Sequence, residues 1–380
     1  VRHPLSAGQG AAALTAAMAE DDPDSLAAGA RLRRDFPAEL AAAALSQASL
    51  RRRARAKFGE AAGEMLFTPD GLEQASRPEV AAWRARRFAE AGVSRIVDLG
   101  CGIGADALAL AHAGLGVVAV ERDPATAAVA SANLEGTGAT VVVADATEAA
   151  SDLLGPGTAV FCDPARRTGR GRSWRVEDFS PPWSFVCGLL DGRHVACVKL
   201  GPGLPRELVP DDVEACWVSH RGDVVEAGLW RLPGGTAASV AELLPSGDRV
   251  EGTGRRLPVA APGRYILEPD GAVIRARAVG DIVPGAWLLD AEVAYLSTDE
   301  PVVTPFASVF EVLETMDTNE RTLRTWVREH HIGTLEIKKR ALDLDPAALR
   351  RRLRPAGPHQ ATLILARTVH GARAFVVRRV

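Results

Sequence analysis

Between residues 95 and 200, short apolar runs recur with helical segments between them, and this alternation constrains the fold more than any other feature. "RIVDLG", "GVVAVE", "TVVVAD", "TAVFCD" and "HVACVKL" have the length and Val/Ala content of strands buried on both faces. "ADALALAHAG" and "PATAAVASANLEG" lie between them with the length and composition of helices. Such an order requires a mainly parallel sheet covered on both sides, an α/β Rossmann-like architecture. "VEACWVSH" and "VVEAGLWRL", separated by "RGD", read as an antiparallel hairpin that closes the sheet.

The flanks have a different texture. Residues 1–66 read as helices, with Pro37 at the start of "PAELAAAALSQASLRRRARAKFG". The link "LFTPDG" leads to a further amphipathic helix, "RPEVAAWRARRFAEAG". From about Gly234, the turns "PGG", "SGD", "GTG" and "APG" mark a boundary, and the C-terminal remainder mixes strands and helices. Three regions are therefore expected: helices over 1–66, the α/β domain over 67–233, and a small α+β module over 234–380.

A chain of 380 residues with 47% hydrophobic and 24% charged residues has the composition of a globular protein of two or three domains. No apolar run reaches bilayer-spanning length, and the Ala-rich start lacks a compact h-region and cleavage site. A cytoplasmic protein with no membrane partner is expected. Cys101, Cys162, Cys187, Cys197 and Cys216 form no CxxC pair and no Cys/His cluster, so neither disulfides nor a metal is expected.

The net charge of −3 conceals an asymmetry. Residues 321–380 hold 14 Lys/Arg against 4 Asp/Glu, a balance of +10, so the preceding 320 residues carry −13. A second basic knot, "RRRARAK", contains Arg51, Arg52 and Arg53. Basic segments on a mildly acidic chain suit a polyanionic partner, although solvated helix faces have the same composition.

The chemistry concentrates at strand ends. "VDLGCGIGAD" follows the first strand, with Gly100, Gly102 and Gly104 in GxGxG spacing, where a dinucleotide fingerprint requires GxGxxG. Asp98 ahead of these glycines is poorly suited to a pyrophosphate and well suited to an amino group. Glu121 ends the second strand, where it can accept from two ribose hydroxyls, and Asp145 ends the third, where it can accept from an adenine amino group. A ligand with an amino-acid end, a ribose and an adenine is S-adenosylmethionine. Cys101, Arg122 and Ala146 flank these positions and complete the candidate cofactor set.

These residues resemble motifs I to III of class I S-adenosylmethionine-dependent methyltransferases, which implies a seven-stranded Rossmann-like sheet and that cofactor. In such enzymes the fourth strand ends beside the methyl group, where this chain has Asp163-Pro164-Ala165-Arg166. The corner is similar to the Asp/Asn/Ser-Pro-Pro-aromatic of amino-directed methyltransferases, with Ala165 and Arg166 in place of the second proline and the aromatic ring. "DPARRTG" also looks like the corresponding motif of the RNA 5-methyluridine enzymes, which need a cysteine nucleophile past the fifth strand. Here Cys197 lies inside that strand and the loop beyond it offers Lys199, which could neutralise a phosphate. Direct transfer to nitrogen or oxygen is the expectation.

"SPPW" (Ser180 to Trp183) matches the amino-directed pattern but follows no strand, and reads as a helix start with Ser180 as cap. Trp174, Phe179 and Trp183 are packing residues or a substitute stacking surface. "MLFTPDGLEQASRPEVAAWRARRF" and "GTLEIKKRALDLDPAALRRRLRPAGPHQATLILAR" resemble a bacterial family of such methyltransferases carrying a C-terminal THUMP-like domain. That resemblance implies an RNA partner, rRNA or tRNA, with Lys338, Lys339 and Arg340 at phosphates, and Thr68 and Glu73 near the methionine end of the cofactor. The function expected is methylation of a base nitrogen in structured RNA. The alternatives are a small-molecule methyltransferase and a non-catalytic RNA-binding protein retaining the cofactor pocket.

Overall fold

A computed structural model describes residues 3–166 and 174–380, with the side chain of Arg166 outside the described set. The chain divides into two bodies, one comprising the residues up to Glu214 with Glu226–Ala237, the other Ala215–Val225 with Ala238–Val380.

The first body opens with helices α1 (Gly8–Met18), α2 (Leu26–Asp35) and α3 (Ala38–Phe58). The Ser25 hydroxyl starts α2 by accepting from the Ala28 amide, and Pro37 precedes α3. Alanine dominates the buried faces of α1 and α3, so the helices approach closely. The short helix α4 (Pro69–Gln74) and then α5 (Pro78–Glu90) lead to the alternating region. This runs β1 (Arg95–Leu99), α6 (Ala105–His112), β2 (Gly116–Glu121), α7 (Pro124–Asn133), β3 (Thr140–Val143), α8 (Ala146–Leu153) and β4 (Thr158–Cys162). The two-residue strands β5 (Ala165–Arg166) and β6 (Phe179–Ser180), helix α9 (Trp183–Gly188) and strand β7 (Ala196–Leu200) follow. Two further strands, β8 (Glu214–His220) and β9 (Asp223–Arg231), carry the chain into the second body and back.

Within the first body the sheet order is β3-β2-β1-β4-β7-β9, parallel except for β9, which runs antiparallel to β7. Strand order reverses between β1 and β4, the place where open α/β sheets leave a crevice at their carboxyl ends. The apolar strand runs are explained by this position: every residue of β4, and all but the first of β1, is buried.

The structure corrects one helix start. α9 begins at Trp183 with Pro182 before it, and Ser180 belongs to β6, opposite Ala165 of β5. The second proline holds Pro181 away from helical backbone angles, and the Ser180 hydroxyl accepts from Arg122 in place of capping.

In the second body β10 (Ser239–Leu244) lies parallel to β8 and antiparallel to β11 (Asp248–Glu251). A seven-stranded sheet follows, built from β12 (Tyr265–Pro269), β13 (Trp287–Asp290), β14 (Val293–Thr298), β15 (Ala307–Asp317), β16 (Ile332–Arg340), β17 (His359–Thr368) and β18 (Gly371–Arg379). Helix α10 (Gly271–Arg275) precedes β13, and α11 (Glu320–Glu329) and α12 (Pro346–Leu353) flank β16 in sequence. The order is β13-β14-β12-β15-β18-β17-β16, with β16 and β17 the parallel pair. Alternate residues of β17 separate two cores: Leu363 and Leu365 pack with α11 and α12, Ile364 and Ala366 with Tyr295 and Phe310.

One buried charge ties the first body together. Arg84 of α5 is 1% exposed, stacks 4.7 Å from the Phe161 ring, and pairs with Asp106 of α6 and with Glu226 of β9 at 2.5 Å. Burial alone would lower its pKa; the two carboxylates outweigh this and raise it. Replacing it by methionine leaves two buried carboxylates without their cation. Arg84→Met should therefore lose about 3–5 kcal/mol of stability in urea denaturation; a loss below about 1 kcal/mol would contradict this assignment.

Candidate functional site

Strand registers place the candidate residues at one level. Leu99 lies opposite Val120 on one side and Cys162 on the other, and Cys162 lies opposite Val198. The next residues along these strands are Gly100, Glu121, Asp163 and Lys199, so four strand ends deliver them to one crevice. The Gly100 and Cys101 amides both donate to the Val120 carbonyl, at 2.9 and 3.0 Å, which bends the chain sharply after β1. Gly100 has φ +86°, and a Cβ there would lie 3.5 Å from the Asp163 carbonyl oxygen. The glycine loop thus passes close to the backbone of the Asp163 corner. Gly102 (φ +54°) has no atom within 4 Å of its would-be Cβ, whereas Gly104 (φ +81°) packs toward Ala130 and Leu134 and starts α6.

Asp98 is fully buried, and neither carboxylate oxygen has a hydrogen-bond partner. Burial pushes its pKa well up, and the Asp106 and Asp163 charges add to this against Arg84 and Lys199. A buried carboxylate in this state is satisfied by a cation, which makes the site fit a ligand ammonium.

Beside it, Lys199 Nζ donates to Asp163 Oδ2 at 2.5 Å, to Ser76 Oγ at 3.2 Å and to the Gln74 carbonyl at 3.5 Å. Its burial would lower its pKa, but Asp163, Asp106 and Glu226 together raise it. Lys199 is thus engaged within the crevice, where sequence alone suggested a phosphate contact. Ser76 in turn donates to Asp106 Oδ2 at 2.8 Å, so Asp163, Lys199, Ser76, Asp106, Arg84 and Glu226 form one chain of polar contacts. Sequence inspection passes over Ser76, Arg84, Asp106 and Glu226. Asp106 has one signal, a charge placed among apolar residues in "ADALALAHAG".

On the other side of β1, Glu121 Oε2 accepts from the Gly102 amide at 3.1 Å and Oε1 from the Asp123 amide at 2.9 Å. A carboxylate has about four acceptor sites, so both oxygens retain capacity for hydroxyls. Asp145 caps α8: its Oδ1 accepts from the Thr147 amide and hydroxyl at 2.9 and 2.5 Å, which holds its carboxyl below the usual range. Ala146 is the first residue of α8. Arg122 is exposed, and its Nη1 donates to Ser180 Oγ at 3.3 Å, bringing the strand that returns from the Asp163 corner beside the end of β2. The Cys101 thiol is buried, with its pKa pushed well up by burial, so this position contributes backbone. Cys197 is also buried, its pKa raised by burial, which excludes it as a nucleophile in this conformation.

Pro164 is buried and Ala165 exposed; the backbone of Arg166 pairs with Phe179, and its side chain lies outside the described residues. Phe179 stands between Trp174 and Trp183, with ring centroids 6.0 and 5.1 Å away. Thr68 caps α4, its hydroxyl accepting from the Gly71 amide at 3.0 Å, and Glu73 is exposed on that helix.

The other basic residues make contacts of their own. Arg51 Nε donates to the Met65 carbonyl at 2.8 Å, Arg52 donates to the Glu20 and Asp21 carbonyls, and Arg53 is exposed. In the second body Lys338 pairs with Glu268 at 2.8 Å, Lys339 donates to the Leu342 carbonyl at 3.3 Å, and Arg340 lies 5.7 Å from the Tyr295 ring. Among the described residues no group of three His, Cys, Asp or Glu could hold a metal ion, and no helix is long and apolar enough to cross a membrane.

Asp98 yields a direct test. Binding of S-adenosylmethionine beside it should release a proton, so calorimetric heats should vary with the ionisation enthalpy of the buffer. Affinity should rise with pH until Asp98 is ionised without help. Both dependences should vanish in Asp98→Asn, with affinity reduced about tenfold or more; buffer-independent heats in the wild-type protein would refute the assignment.

Comparison with known proteins gives the family and the fold. Residues 307–379 match a family model described as THUMP domain-like, and residues 3–54 match one described as a domain of unknown function. A crystal structure of a candidate methyltransferase from Porphyromonas gingivalis superposes with a TM-score of 0.79 at 21% identity, covering 97% of each chain. Two curated relatives from Mycobacterium tuberculosis strains, described as uncharacterized S-adenosylmethionine-dependent methyltransferases, are 36% identical over 346 residues, 86% of this chain and 93% of theirs. At that identity and coverage, the chain belongs to the S-adenosylmethionine-dependent methyltransferase family.

Proposed function

We propose that this enzyme methylates a base nitrogen of a structured RNA, with Asp163 facing the acceptor. The observation that carries the reading is the Lys199–Asp163 pair at the end of β4, where the Asp163 backbone lies close to Gly100 of the glycine loop. The bound cofactor supplies a sulfonium-activated methyl group. Asp98 would pair with its ammonium, the Gly100–Gly104 loop would leave room for its methionine portion, Glu121 would accept from the ribose hydroxyls, and Asp145 and Ala146 would border the adenine. Lys199 holds one Asp163 oxygen, and the other would accept a hydrogen bond from the acceptor amino group and so orient it for transfer. Rate acceleration then comes mainly from orienting two bound reactants. Asp163 also provides a nearby carboxylate for the proton lost after transfer.

The second body supports the RNA partner. Its THUMP-like match, residues 307–379, overlaps the 321–380 region carrying the +10 balance, and Arg321, Arg328, Arg350 and Arg351 are exposed on α11 and α12. Lys338 is paired with Glu268, so the helix faces offer more available charge than the end of β16. Neutralisation of phosphates by these side chains would make affinity fall steeply with salt.

The decisive measurement incubates the protein with methyl-labelled S-adenosylmethionine and RNA from a strain lacking the gene. Label should enter that RNA and not RNA from the parent strain, and nucleoside digestion should place it on a base nitrogen. Asp163→Ala should lower transfer by about 10²–10⁴-fold while leaving cofactor affinity within about threefold. Replacing Arg321, Arg328, Arg350 and Arg351 by glutamine should flatten the salt dependence, by roughly 0.7–0.9 in slope for each phosphate no longer neutralised. Label entering small molecules alone would replace RNA with a metabolite acceptor.

A further inference from the structure

We infer that the N-terminal helices are a working part of the cofactor site: α3 holds residues 65–74 as a strap against the glycine loop, and Gln47 is a positioning residue for S-adenosylmethionine. Nothing in the sequence of residues 3–54 points to this role, and the model they match is described only as a domain of unknown function.

The strap is gripped by two amide side chains on consecutive residues. Gln47 of α3 is 7% exposed; its Nε2 donates to the Phe67 carbonyl at 2.5 Å and its Oε1 accepts from the Phe67 amide at 3.0 Å. Asn133, the last residue of α7, treats Leu66 the same way, accepting from its amide at 2.7 Å and donating to its carbonyl at 2.9 Å. The same Asn133 Nδ2 donates to the Ile103 carbonyl at 2.8 Å, inside the glycine loop. One side chain therefore joins the strap to the loop, and the other joins the strap to α3.

Further along, α4 rests directly on that loop. A Cβ on Gly71 would come within 2.3 Å of Ile103 Cγ2 and 2.7 Å of Thr68 Oγ1, so only glycine permits this approach. Lys57, near the end of α3, donates to the Leu72 and Glu73 carbonyls at 2.9 and 3.0 Å, while Lys199 reaches the next carbonyl, that of Gln74. The end of α4 is thus held from one side by α3 and from the other by the lysine that pairs with Asp163. Phe67, Leu72 and Ile103 share a single apolar core with the buried residues of α1 to α3. Loosening α3 from the strap would free Ile103 on two sides, and with it the backbone of Gly102 and Gly104.

The test uses the full chain and S-adenosylhomocysteine, so it does not depend on the RNA reading. Gln47→Leu keeps the bulk of the side chain and removes both bonds to Phe67. Amide exchange over residues 65–74 should speed up, and S-adenosylhomocysteine affinity by calorimetry should fall about tenfold or more, with far-UV circular dichroism unchanged. Gln47→Glu keeps the acceptor alone and should fall between. Ser49→Ala, which removes an exposed bond from the same helix to Asp24, should match the wild type. If exchange in the strap rises while affinity stays within about twofold, or if exchange does not rise at all, the proposal fails. Should Gln47→Leu not fold, Gly71→Ala decides: affinity within about twofold of wild type would equally overturn it.

Discussion

The crevice depends on a guanidinium that never reaches solvent. Arg84 neutralises Asp106 and Glu226 together, and in doing so fixes α5 against α6 and β9. Asp106 then accepts from Ser76, Ser76 accepts from Lys199, and Lys199 also donates to Asp163. Buried ion pairs contribute little net stability, since desolvation offsets most of their attraction, but removing one member exposes the others to the full penalty. Their contribution here is geometric. They fix where a carboxylate stands at the end of β4, and they leave Asp98 a buried carboxylate without a hydrogen-bonded partner.

Much of the architecture was legible in the sequence because it rests on local patterns. Fully apolar strands alternating with helices admit few arrangements, and the glycine spacing after β1 has a direct backbone meaning, since Gly100, Gly102 and Gly104 all take positive φ. The places of Glu121 at the end of β2 and of Asp145 just past β3 were legible because strand ends are legible. Features that depend on a distant partner escaped. Lys199 looks like any lysine at a strand end until the register of β4 and β7 puts it beside Asp163. Ser180 looks like a helix cap until β5 and β6 pair. Arg51 and Arg52 read as free charge in a basic knot, yet their guanidinium groups hold backbone carbonyls of neighbouring segments. Gln47 and Asn133 look like ordinary polar residues in helices, and their meaning lies in backbone groups twenty and sixty-seven residues away.

The corner after β4 differs from the aromatic pattern that its sequence resembles. With Ala165 and Arg166 following Pro164, no aromatic ring occupies the corner itself, and the rings of Trp174, Phe179 and Trp183 gather on the strand that returns to it. A planar group held at Asp163 would meet whatever face that returning segment offers.

The amide brackets on Leu66 and Phe67 bear on how the gene can be cut. Composition changes near residue 66, and a designer of fragments would place a terminus there. Yet the bond between Leu66 and Phe67 is where two helices from opposite sides each grip the backbone. A fragment starting at Phe67 would lose Gln47 and the apolar surface behind α4, leaving Ile103 and Leu72 facing water. A piece meant to present an intact glycine loop should therefore include the helices before it, across the change in sequence texture.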